Sequence, residues 1–265
     1  MHWLLVFILI YCPVACTHPF DCTPPEPFVS WLPDRGVLEA FELRKKLSQS
    51  PSDLNLRLSL TSHYIQTRLK KRAKPLLNTL MDLAPSHPEV WILHSRYSVL
   101  EKNYNKALVE AFRALLLSNS ESETICFEHA HLQLINKNPV KAIQFADYAL
   151  QKHNSDRLRW VRTMALIELQ QWGEAEQALI LLRKNLPDFA PLSINLALLS
   201  CRLNDEDSIL FNLRKASLQG YMDSHRLLMD SCLNPYLNKP ALIAVLNLIK
   251  KNQEMQRITP GLQKL

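Results

Sequence analysis

Small and apolar residues recur along this chain at a near-constant interval. Ala73, Ala107, Ala142 and Ala175 stand 34, 35 and 33 residues apart, and apolar neighbours return with them at the three- and four-residue spacing of a buried helix face. Counting from residues 54, 88, 123 and 156, the eighth position is Thr61, Ser95, Ala130 and Thr163, small in every case. Position 24 is Leu77, Ala111, Ala146 and Leu179, and position 27 is Leu80, Ala114, Ala149 and Leu182. Pro85 and Pro187 each follow a repeat alanine by twelve residues, where a proline stops a helix. The pattern predicts helix–turn–helix units over 54–87, 88–122, 123–155 and 156–189, each alanine beginning the second helix of its pair. A unit of this size cannot enclose a core alone and must stack on its neighbours.

Tyr104-Asn105-Lys106-Ala107 and Trp172-Gly173-Glu174-Ala175 are good copies of the turn-and-second-helix motif of the tetratricopeptide repeat family. The chain resembles that family over roughly 54–189. Only Trp91 matches the family's early tryptophan, position eight carries Ser, Thr or Ala in place of its glycine, and repeat three has Asn154 where the family has a proline. A degenerate fifth repeat is expected at 190–222, with Ala197 as its small residue, Ile209, Leu213 and Ala216 in its second helix, and Gly220 as the C-cap. Residues 223–265 are similar to a capping module. They read as helices over 223–232 and 238–251, split by Asn234-Pro235. Upstream, Asp34 is expected to N-cap a helix over Val37–Leu47, and Ala40 lies 33 residues before Ala73, so 34–53 reads as a capping half-repeat. The resemblance implies an all-α fold, a right-handed α-solenoid of stacked helix-turn-helix hairpins with a C-terminal helical cap.

The first residues form a separate object. Trp3 to Tyr11 is an unbroken apolar run ending at Cys12-Pro13, too short to span a bilayer but fitting the hydrophobic region of a secretory signal peptide. Residues 1–16 are therefore read as a leader cut near Ala15 or Cys16. Val14-Ala15-Cys16 also resembles the end of a lipobox, which would put a lipid on Cys16, although Pro13 stands where that pattern wants Leu. Plain cleavage is the alternative. Residues 17–33 contain five prolines and no periodic pattern, as an extended tether would.

Composition narrows the function. Four glycines in 265 residues argue against phosphate-cradling loops. No CxxC or zinc spacing occurs among the cysteines, so no metal or other cofactor is expected; Cys22, Cys126, Cys201 and Cys232 are widely spread, and an oxidising compartment would allow a Cys201–Cys232 bridge. His129 and His131 flank Ala130, but neighbouring helix positions point apart, and no catalytic motif appears. The chain reads as no enzyme, without a small-molecule substrate. The net charge of +6 gathers at Arg44-Lys45-Lys46 and at Arg68, Lys70-Lys71-Arg72 and Lys74. These are read as a solvated face, as a surface for anionic lipid, or as a surface for acidic partners; no basic–aromatic interleaving suggests nucleic acid.

In the family, positions two, five and nine of the first helices face a concave groove. That resemblance implies a groove lined at position five by Leu58, Ile92, Phe127, Trp160 and Ile194, and at position nine by Arg96, His131, Met164 and Leu198. Arg157 stands at position two. The expectation is an apolar floor with Arg96, Arg157 and His131 as polar fixtures, holding a protein or peptide partner; half-burial of position five between helices is the alternative. The whole is read as an exported scaffold or adaptor, membrane-tethered or secreted, serving assembly of an envelope complex. Alternatives are a secreted effector and a regulatory subunit of an envelope enzyme such as a cell-wall hydrolase.

Overall fold

In the computed structural model, residues 33–258 are described, with side chains over 39–255. The leader, Cys16, Cys22 and nearly all of the proline-rich segment lie outside the described residues. Every regular element among the described residues is helical. In order these are α1 (Pro33–Gln49), α2 (Leu54–Gln66), α3 (Lys70–Leu83), α4 (Pro88–Leu100), α5 (Tyr104–Leu117), α6 (Glu123–Ile135), α7 (Pro139–Leu150), α8 (Asp156–Glu168), α9 (Trp172–Asn185), α10 (Ala190–Arg202), α11 (Glu206–Leu218), α12 (Ser224–Leu228), a short 3₁₀ helix (Ser231–Tyr236) and α13 (Pro240–Ile258).

The local chemistry explains the boundaries. Asp53 accepts from the Leu56 amide at 3.0 Å, Asn103 from Lys106, Ser122 from Ile125 and Asp205 from Ser208, each satisfying an amide that a helix start leaves unpaired. Pro88, Pro139 and Pro191 sit in first turns, where a missing N–H costs nothing. The turn inside each hairpin uses one recurring device. Arg68, Lys102, Lys137, Gln170 and Asn204 all have positive φ, and the next amide returns to a carbonyl five residues back, as in Leu69 to Tyr64 and Asn103 to Ser98. These residues accept a left-handed conformation without being glycine. That is how an array can be built with so few glycines. Among the described residues, Gly220 after α11 is a left-handed position filled by glycine.

The small repeat positions let helices approach closely. Ala73, Ala107, Ala142 and Ala175 are fully buried, as are Thr61, Ser95, Ala130, Thr163 and Ala197. The Ser95 hydroxyl donates to the Ala107 carbonyl at 2.8 Å, joining these two positions directly.

Cα packing divides the described chain into two compact units, one ending at Val161 and the other beginning at Arg162 of α8. In the first, α1 packs on α2, and Ala40 joins Leu58, Leu60, Tyr64, Ala73 and Leu77 in one apolar cluster. In the second, α10 is packed between α9, α11 and the 3₁₀ helix, and every residue from Leu192 to Cys201 is buried. Cys201 is bonded to Cys232, with Cα atoms 6.1 Å apart. Beside that bridge Arg202 donates to the buried Asp230 at 3.0 Å, and Asp230 also accepts from the Cys232 amide. Asn252 of α13 donates to the Ser217 and Tyr221 carbonyls.

Two expectations about the ends are corrected. Asp34 lies inside α1, which begins at Pro33, so proline rather than an acidic cap opens that helix. Asn234-Pro235 falls within the 3₁₀ helix, Pro235 in its second turn, instead of breaking two α-helices; the breaks come at residues 229–230, which end the helix expected over 223–232, and at 237–239.

Candidate functional site

The first helices of the N-terminal repeats leave one face open. A groove of about 480 Å³ runs over α2, α4 and the start of α6. Leu58, Ile92 and Ile125 form its buried floor, while Asn55, Ser59, Ser62, Gln66, Glu89 and Arg96 stand around it at least partly exposed. Glu39 of α1 also lines it and lies 3.6 Å from His63 Nδ1.

Toward α8 the same unit holds a denser polar network. Arg96 donates to Glu128 Oε1 through Nε at 2.8 Å, and Arg157 donates to Glu123 Oε2 at 3.1 Å. The Arg157 guanidinium carbon is 4.2 Å from the Phe127 ring centroid, and the His131 ring stacks on Phe127 at 5.5 Å. Burial pushes the His131 pKa down, with Glu128 opposing the shift and Arg157 adding to it. Both arginines named from the sequence therefore already hold carboxylates, so their charge is internally neutralised. An acidic ligand would have to displace those partners.

The expected groove residues separate into two sets. Leu58, Ile92 and Arg96 come together around the groove. Phe127, Trp160, Met164, Ile194 and Leu198 are buried in the repeat cores, Trp160 being 1% and Phe127 2% exposed. An aromatic anchor must be reachable by its ligand, so these five side chains do not serve as surface anchors in this arrangement. Truncating either aromatic to Ala would instead cost about 3–5 kcal/mol of stability, as removing a buried Phe or Trp side chain does. The reason is that neighbouring repeats close over position five more completely than half-burial.

Ser59, Gln66, Glu123 and Glu128 were not singled out from the sequence. Their signal was the helical period itself. Ser59 lies four residues beyond Asn55, and Gln66 four beyond Ser62, so each shares a face with a position already read as groove-lining.

His129 is a different kind of residue. It packs against Phe145 at 4.3 Å and Phe112 at 5.7 Å between ring centroids, and burial lowers its pKa to about 4. It is a neutral core histidine. Among the described residues no group of three or more His, Cys, Asp or Glu is placed to hold a metal ion, and no helix is long and apolar enough to cross a membrane.

No protein-family model matches the sequence, and no curated protein is similar to it in sequence. Solved structures are similar in fold. PilW, a widely conserved type IV pilus biogenesis factor, superposes with a TM-score of 0.65 at 16% identity, over 72% of this chain and 90% of its own. A tetratricopeptide repeat protein from Parabacteroides merdae gives 0.57 at 16% identity, over 82% and 78%. YrrB, a TPR protein with an unusual peptide-binding site, gives 0.51 at 16% identity, over 68% and 93%. Together with the hairpin repeat and its buried alanines, these likenesses give the chain its fold: it has a tetratricopeptide-repeat-like fold, all-α and of the α-solenoid class.

Proposed function

We propose that the protein is a non-enzymatic scaffold that holds an extended peptide segment of a partner protein along α2, α4 and the start of α6. The observation that carries this reading is the groove itself. Asn55, Ser59, Ser62 and Gln66 offer hydrogen-bonding side chains beside a floor of Leu58 and Ile92. An extended segment needs both, donors and acceptors for its backbone and apolar contact for alternate side chains. Glu39 and Glu89 add negative charge to the lining, while Arg96 is engaged with Glu128. The fitting segment therefore carries Lys or Arg beside its apolar residues, rather than an acidic terminus.

The Cys201–Cys232 bridge supports export, because such bonds persist in oxidising compartments and are rare in reducing ones. PilW is a biogenesis factor and YrrB has a peptide-binding site; both favour an assembly or peptide-holding role, with an envelope complex as its context.

The test is capture of partners by the immobilised full chain from an extract of its own cells, beside an Asn55→Arg/Glu89→Arg variant. Both positions are exposed, so the variant keeps its fold. A partner held by the native chain and lost by the variant supports the groove. The same partner held equally by both sinks it.

A further inference from the structure

The formal charge of +6 is concentrated in one stretch. Residues 39–80 hold nine Lys and Arg against three Asp and Glu, an excess of six, so the remaining residues sum to zero. Lys45, Lys46, Lys70, Lys71 and Lys74 of this stretch are exposed and make no salt bridge among the described residues. Several basic residues elsewhere are paired with acids, among them Arg96 with Glu128, Arg157 with Glu123, Arg202 with Asp230 and Lys239 with Glu206. Five exposed like charges without ion pairs repel one another.

Their setting is specific. Helices α1 and α3 both pack on α2 and meet in one apolar cluster through Ala40 and Ala73, which leaves the lysines outside. Exposed apolar side chains stand close to these lysines along the chain. Phe41 is 57% exposed one turn before Lys45, and Leu69 is 40% exposed between Arg68 and Lys70. Lys70, Lys71 and Lys74, with Asn78 and Tyr97, also line a recess of about 460 Å³. Glu101 also lines it, so one carboxylate stands among these lysines.

We propose that the outer surface of α1 and α3 docks on an anionic lipid surface. The lysines meet headgroup phosphates, and Phe41 and Leu69 enter the boundary between headgroups and acyl chains. Lysine stems lie along apolar surface while their ammonium groups reach charge, and interfacial binding adds apolar burial to electrostatic attraction. A carboxylate-rich protein face would match the lysines but give Phe41 and Leu69 no apolar medium. The lysines and the groove involve different residues, so this inference stands or falls independently of the peptide reading.

The experiment is co-sedimentation of the full chain with vesicles of phosphatidylcholine alone and of phosphatidylcholine mixed with phosphatidylglycerol. The native chain should prefer the anionic vesicles, and added salt should weaken that preference. Replacing all five lysines (Lys45→Gln, Lys46→Gln, Lys70→Gln, Lys71→Gln, Lys74→Gln) should reduce anionic binding by about 1,000-fold or more, at roughly fivefold per cation, with the helical circular dichroism unchanged. A Lys45→Gln/Lys46→Gln pair gives a milder second variant with a partial loss. Equal partition of the native chain into both vesicles, or an undiminished anionic preference in the five-lysine variant, overturns the proposal and turns attention to an acidic protein partner.

Discussion

The two compact units use the same repeat positions to opposite ends. At position nine of the first helices, Ser62 and Arg96 of the N-terminal unit stay partly exposed beside a groove. In the C-terminal unit the equivalent residue is Leu198, fully buried, within a helix covered from Leu192 to Cys201. The N-terminal unit keeps one face of its first helices available, with hydrogen-bonding groups on it. The C-terminal unit closes that face with packing and then ties its end with a disulfide and the Arg202–Asp230 pair. An array can thus combine an open face and a closed end without changing its repeat. What differs is the side chain at a few positions and the helices that follow.

The sharpest way to break this comparison is to make the same truncation at the shared position. Leu198→Ala should cost about 2–5 kcal/mol, as a buried Leu truncation does, whereas Ser62→Ala should change stability by less than about 0.5 kcal/mol. Chemical denaturation of both variants measures this, and equal costs would mean the two faces are not differently packed.

A somewhat smaller effect should follow from opening the bridge. With Cys201 and Cys232 separated by 31 residues, loop-closure entropy gives a stabilisation of about 3–4 kcal/mol. Cys201→Ser/Cys232→Ser should therefore lower the stability of the C-terminal unit by that order. Hydrogen exchange should show faster opening of α12 and the 3₁₀ helix while α2 to α6 keep their protection. Uniform loss across both units would show that they melt together.

Acid should act first on the N-terminal unit. His129 has a folded pKa of about 4, below the unfolded value of about 6.5, so the unfolded chain takes up the proton more readily. Its contribution is intact above pH 6.5, is lost progressively as pH falls toward 4, and is constant below that. The full loss is on the order of 3 kcal/mol at 1.36 kcal/mol per unit. His94, also lowered by burial, adds in the same direction. Stability measured from pH 7 to pH 4 should show this slope, and His129→Phe should flatten it; an unchanged slope would place the acid sensitivity elsewhere.

The repeat was legible in the sequence because its causes are local and periodic. An alanine every 34 residues or so, with a small residue at position eight, follows from how closely two helices of a hairpin must approach, and the structure buries all of these positions. The fifth pair, α10 and α11, is as regular in length as the others, although its alanine is replaced by Ile209. The candidate site was less legible. Position five looked like groove floor, yet Phe127 and Trp160 are inside, because whether a first-helix residue is open or covered depends on the next repeat's packing. The pairing of Arg96 with Glu128 and of Arg157 with Glu123 joins residues 32 and 34 apart, a distance at which helical periodicity carries no information about side-chain partners.

Hydrophobic period, small-residue positions and turn tolerance by themselves determined that this chain forms stacked helical hairpins, since each depends only on neighbours within one repeat. Tertiary structure decided which face remained open, which arginines were neutralised, and that Cys201 meets Cys232 rather than staying a buried thiol like Cys126. Those outcomes depend on distances between residues remote in sequence, and only the packed helices set them.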